Sequence, residues 1–278
     1  MPHDAAMQDG QLDLFGSAGI RPDASPNPQP RREMPPVANL TDAALIDAIP
    51  DASQAACQAL AGEAARRKLV AAVPALDALC RRFKGFGLQH AIPEQTASLQ
   101  ALAAIGGADA VAALRRIVVG EVVAGPGQRE AVRAAAALRC ILPEPKAAAL
   151  LLHADPEVRA LACRCAPRAT PIAGLLASLL EDLNPGVATA AAKALGRMGR
   201  AEGRPWLIRL LRHRPDAEAI EAVTPVADEE CTVLLGRIAR HQAALRDAAT
   251  TALEAIETPR AAAVLAALGS PGAPHPEG

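Results

Sequence analysis

The chain has 278 residues, 51% of them apolar, and a formal net charge of −1, which excludes a whole-molecule field that would draw it to nucleic acid or a membrane surface. Aromatics make up only 1% (Phe15, Phe83, Phe86 and Trp206, with no Tyr), and Ala and Leu dominate the apolar share. Strands favour β-branched and aromatic residues while Ala, Leu and Arg favour helices, so the composition excludes a β-rich fold and predicts an all-α one.

Residues 1–38 come first and differ from the rest. Pro2, Pro22, Pro26, Pro28, Pro30, Pro35 and Pro36 stand among Asp, Ser, Asn, Gln and Arg. Proline removes backbone donors and restricts its neighbours, so a disordered, Pro-rich tail is expected here. The first ten residues carry Asp4 and Asp9 and no apolar run, unlike a secretory signal. Within the tail stands Gln11-Leu12-Asp13-Leu14-Phe15, flanked by Asp9-Gly10 and Gly16-Ser17. These five residues resemble, at every position, the pentapeptide by which bacterial proteins dock on the replicative DNA sliding clamp. The resemblance implies that Gln11 supplies an amide to the pocket rim, Leu12 touches its wall, and Leu14 with Phe15 fill the apolar cleft. A tail segment that binds must bury enough apolar area to offset its own ordering entropy, and these large side chains provide it. The alternatives at this stage are that the phrase folds back onto the first helices or has no role.

Residues 39–268 read as a continuous helical body, and 269–278 as a second Pro/Gly tail. The expected helix pairs are 41–48/52–68, 73–83/93–105, 108–119/128–141, 145–152/156–166, 171–181/185–198, 204–213/216–225 and 229–240/242–256, closed by a helix at 259–268. Asp155 and Asn184 are good N-caps, and Pro156 and Pro185 suit the first helical turn after them. Gly106, Gly196 and Gly199 suit helix ends. Val132, Val158, Val187, Ala217 and Leu245 open similar phrases about 30 residues apart, the mark of a solenoid of helix pairs. Asp155-Pro-Glu-Val-Arg-Ala-Leu-Ala, with Val187 to Gly196 and Leu245 to Leu253, resembles the bacterial HEAT-like repeats, including those shared with phycobilisome lyases. The likeness covers about residues 90–258 well and 40–90 poorly. It implies an α-solenoid of about six to seven helix pairs, in which Arg133, Arg159 and Arg246 match the recurrent Arg that pairs with an acid of an adjacent repeat.

Among residues that could carry chemistry, a basic stretch comprises Lys193, Arg197, Arg200, Arg204, Arg209, Arg212 and Arg214, with only Glu202 opposing it locally. Such a stripe can track phosphates or meet an acidic partner, and it is equally the solvated face of an Arg-rich helical protein. Arg66, Arg67, Lys68, Arg81, Arg82 and Lys84 form a smaller group of the same kind. Base stacking wants aromatics near a basic track, and only Trp206 is close. The six histidines show no zinc-site spacing, and Cys163 and Cys165 read as mid-helix residues facing different ways rather than a metal clip. All six cysteines read as reduced core residues. HEAT-like DNA glycosylases and bilin lyases share the repetition, but a chain so poor in aromatics lacks what their clefts require.

The sequence therefore predicts a cytoplasmic, non-enzymatic interaction scaffold with no cofactor, no metal and no membrane partner. Its expected partners are proteins on the solenoid surface and the bacterial sliding clamp, in DNA replication, repair, or a mobile-element or defence process. The alternatives are a general scaffold of a multiprotein assembly with no clamp role, and a nucleic-acid-binding solenoid using residues 193–214.

Overall fold

A computed structural model describes residues 36–269, so Gln11–Phe15 and the two end segments lie outside the described residues. By its internal contacts the chain divides between Pro36 and Val37, and the fold is that of the second unit. Its helices are α1 (Asp42–Ala48), α2 (Gln54–Arg66), α3 (Val73–Arg82), α4 (Pro93–Ile105), α5 (Gly107–Val119), α6 (Pro126–Ala137), α7 (Glu144–Leu151), α8 (Pro156–Arg164), α9 (Thr170–Ser178), α10 (Pro185–Arg197), α11 (Arg204–His213), α12 (Ala217–Val223), α13 (Glu229–His241), α14 (Arg246–Ala255) and α15 (Pro259–Gly269), with no strand among the described residues.

Local chemistry sets the starts. The Asp155 and Asn184 side chains accept from the N–H groups of Glu157 and Gly186, both at 2.8 Å, capping α8 and α10 ahead of Pro156 and Pro185. Asp216 and Asp228 do the same for α12 and α13. These oxygens take up donors that the first turn leaves unpaired.

The ends are tighter than the sequence suggested. Short 3-10 turns at Leu179–Glu181 and Thr224–Val226 replace the expected last turns of α9 and α12, and another at Ala243–Leu245 delays α14 to Arg246. Helix α6 stops at Ala137 rather than near 141, because Arg139 turns left-handed at φ 49. The Cys140 N–H then closes on the Ala135 carbonyl at 2.9 Å. Lys68 after α2 and Gly199 after α10 end their helices with the same bond pattern. Gly196, expected at a helix end, is the last but one residue of α10.

Each antiparallel pair forms a layer, and the layers stack in two rows. The even helices α2, α4, α6, α8, α10, α12 and α14 each pack on the next even one, while α3 meets α5, α7 meets α9, and α11, α13 and α15 follow one another. One core cluster runs from Leu45 to Leu195 and a second from Ala192 to Ala261, so both reach α10. Small side chains permit the close stacking: Ala188, Ala191, Ala192 and Ala194 of α10 are all buried. At Gly196 an added Cβ would lie 2.3 Å from the Ala222 carbonyl oxygen, so α10 and the end of α12 touch backbone to backbone.

Arginines tie the layers together. Arg159 binds Asp182 through two bonds of 2.8 and 3.0 Å and also donates to the carbonyls of His153 and Ala154. Arg133 pairs with Glu157 of α8. Arg246 departs from the pattern implied by the repeats: its Nε donates to the Ala239 carbonyl at 3.0 Å, and no acid pairs with it among the described residues. The result is a HEAT-like α-solenoid.

Candidate functional site

The basic stretch singled out by sequence does not form one free surface. Lys193 is buried on α10, and its Nζ donates to both Asp216 oxygens at 2.8 and 2.7 Å, with Glu218 at 3.6 Å. Arg200 pairs with Glu202 at 2.6 Å, Arg204 with Asp228 at 3.3 Å, and Arg212 with Glu230. Arg209 is exposed with its guanidinium 4.6 Å above the Trp206 ring, a cation–π contact that covers the indole. Arg214 is exposed. Trp206 is partly buried against the second core cluster. Apart from Glu202, the carboxylates that meet the stretch sit at the starts of α12 and α13, invisible to a local count of charges.

Arg197 differs from both the paired and the exposed members of the stretch. It sits at the last position of α10, partly buried, and makes no side-chain ion pair among the described residues. Burial lowers its pKa from the ordinary arginine value; the Glu221 carboxylate opposes that shift, and neighbouring Arg139 and Arg164 reinforce it.

Two arginines outside the predicted stretch complete the arrangement. Arg139, just past α6, forms a two-pronged ion pair with Glu221 of α12, one bond being 2.6 Å. Arg164, at the end of α8, reaches Glu218 of α12. Helices α8 and α10 separate α6 from α12 in the row, so a single ion pair can join them only if the row curves with this face inside. The carboxyl ends of α6, α8 and α10 thus converge on α12, where helix-end carbonyls favour cations. Sequence reasoning missed Arg139, Arg164, Glu218 and Glu221. One signal was available: a basic residue closes the second helix of three successive pairs.

A groove of about 260 Å³ runs between α8 and α10 towards α12. Ala160, Leu161, Thr189 and Ala190 form its floor, and Arg164, Lys193, Arg197 and Glu218 stand at one end. At the other end lies Glu157, already held by Arg133 and by Arg129 at 3.1 Å.

The remaining candidates read as structural. All six cysteines are buried and unpaired, and burial pushes the thiols of Cys80, Cys163, Cys165 and Cys231 up to about 12. Cys165 lies just past the end of α8 rather than mid-helix. No cluster of potential metal ligands occurs among the described residues. In the smaller basic group Arg66 and Arg67 bind Glu63, Arg81 binds Asp77, and Arg82 donates to the Pro50 and Ala52 carbonyls. No described helix is long and apolar enough to cross a membrane.

With this geometry in place, comparison with known proteins agrees on the fold. Residues 144–225, spanning α7 to α12, match a family model of HEAT repeats. A chain of the solved complex of CpcE and CpcF of phycocyanin lyase from Nostoc sp. PCC7120 superposes with a TM-score of 0.55 at 17% identity, covering 88% of this chain and 99% of that one. At that identity the likeness is one of fold. Two engineered proteins align less well: one at TM-score 0.42, 19% identity and coverage of 81% and 71%, the other at 0.37, 18%, and 81% and 97%. No curated protein matches the chain in sequence.

Proposed function

We propose that this protein is a non-catalytic interaction scaffold: the HEAT-like stack grips a protein partner, and Gln11–Phe15 tether it to the bacterial DNA sliding clamp. The observation that carries the scaffold reading is the open groove along α8 and α10, apolar below and charged at its rim, where a segment of another protein can lie. The clamp reading is supported by the match at all five residues Gln11, Leu12, Asp13, Leu14 and Phe15, set in a Pro-rich segment. The role would fall in DNA replication or repair, or in a clamp-dependent mobile-element or defence process.

Nucleic-acid binding is the weaker reading. Lys193, Arg200, Arg204 and Arg212 already face carboxylates, which removes most of the free charge a phosphate track requires. The test of the tether is a peptide spanning residues 6–20 titrated against purified sliding clamp. Binding that is lost in the Leu14→Ala, Phe15→Ala double variant supports the tether; no binding, or binding indifferent to those changes, removes it and leaves a scaffold without a clamp role.

A further inference from the structure

We propose that the groove between α8 and α10 is a docking site for a short apolar segment of a partner protein that carries an aspartate or glutamate side chain, with Arg197 as the carboxylate's anchor. This rests on the scaffold reading and names the chemistry of its partner.

The charge balance at the groove's end points to that ligand. Four cations gather about that end: Arg164, Lys193 and Arg197 line it, and Arg139 acts on Arg197 from nearby. Three have their own carboxylates, namely Glu221, Glu218 and Asp216. Arg197 has none within ion-pair distance among the described residues, although it is partly buried. A cation partly withdrawn from water without an ion-pair partner gains by meeting an external carboxylate there. The depression of its pKa by burial agrees with that setting. A guanidinium takes a carboxylate through two parallel bonds, which selects an acidic side chain over a neutral one.

The groove's shape limits the rest of the ligand. Thr189, Ala190, Lys193 and Arg197 follow one another at helical spacing on one side of α10, and Ala160, Leu161 and Arg164 do so on α8. From Gly186 to Arg197 the α10 side is about 16 Å long at 1.5 Å per residue, room for about five residues of extended chain. Small floor residues leave space for apolar ligand side chains, while Lys193 and Glu218 are committed to each other's neighbourhood. The unpaired charge sits at one end only, so the ligand's acid should occupy a fixed terminal position within the segment.

The test is selection of short, internally displayed peptides on the full-length chain, followed by titration of the selected sequences as end-blocked synthetic peptides. The expected result is an apolar segment with Asp or Glu at one fixed position. Its affinity should fall at least tenfold when that acid becomes the amide, a change made in the ligand alone. It should fall comparably with Arg197→Met, partly recover with Arg197→Lys, and remain unchanged with Arg209→Ala. The Arg197→Met protein should melt at or above the wild-type temperature, which separates lost binding from lost fold. Selected peptides that lack an acid, or that bind equally well after Arg197→Met, overturn the groove assignment while leaving a scaffold. A chain that selects no peptide overturns the assignment and the scaffold reading together. Retention of a duplex oligonucleotide that depends on Arg197, in place of peptides, also overturns it.

Discussion

Two glycine substitutions should move stability in opposite directions. In a helix interior Gly→Ala gains about 1 kcal/mol from reduced backbone freedom in the unfolded chain, unless the new methyl has nowhere to go. Gly62 in α2 has no other atom within 4 Å of its added Cβ, so Gly62→Ala should realise the gain. At Gly196 the methyl would stand 2.3 Å from the Ala222 carbonyl oxygen, 2.7 Å from Leu207 Cδ1 and 3.0 Å from the Ala222 carbonyl carbon. Leu207 can rotate, but a backbone carbonyl cannot, so α10 and α12 must part by about 1 Å to reach ordinary contact. Overpacking of this kind costs about 1–3 kcal/mol, which outweighs the propensity gain at the upper half of that range. The net effect is a loss of about 1–2 kcal/mol, or a fall in Tm of roughly 2–8 °C for a domain of this size. Gly62→Ala should raise Tm by about 2–4 °C. Thermal melts followed by circular dichroism at helical wavelengths read both. A Gly196→Ala protein as stable as wild type would refute the backbone contact between α10 and α12, and with it the curvature that brings Glu218 to the groove and Glu221 to Arg139.

Stability should also depend on acid. Asp182 is held below its usual value of 3.8 by Arg159, Glu157 below 4.5 by Arg133, Glu221 below 4.5 by Arg139, and Glu63 is lowered to about 2 by Arg66 and Arg67. Their folded pKa values are depressed, so the stabilisation is complete above the unfolded values and lost as pH falls through the folded ones. Tm should therefore be flat from about pH 5 to 8 and fall steadily below about 4.5. Arg159→Ala should lower the plateau and make that acid limb shallower; an unchanged limb would mean Asp182 titrates normally. The thiols give a simpler check: with all six cysteines buried, Ellman's reagent should find almost none in the native protein and six after denaturation. Rapid native labelling of Cys163 or Cys231 would contradict their packing.

Much of the fold was legible because punctuation in this chain is chemical. Asp155-Pro156 and Asn184-Pro185 announce helix starts by themselves, and the alanine phrases after them repeat at a spacing that only stacked helix pairs explain. The ends were harder. Leu179–Glu181 has the composition of helix, and only the tertiary setting turns it into 3-10 geometry, whereas at Thr224–Val226 Pro225 was a stop signal the expected helix ran through. Arg139 was read as helical because nothing in an arginine advertises a left-handed conformation, a role usually given to glycine. The basic stretch failed for a different reason. Charge along the sequence records density, whereas pairing is set by carboxylates one layer away, and Lys193–Asp216 joins residues 23 positions apart.

The left-handed turn at Arg139 links these points. A non-glycine residue there costs about 1 kcal/mol, yet the turn ends α6 early and sends the guanidinium across to Glu221 of α12. Arg164 repeats the reach from α8. Once Glu221 and Glu218 of α12 are taken by Arg139 and Arg164 from the two layers before α10, Arg197 at the end of α10 has no acid of α12 left. Arg197 is thus unpaired as a consequence of how the neighbouring helices are tied. The same pairs that hold the curve leave Arg197 at the groove's end open to an external carboxylate.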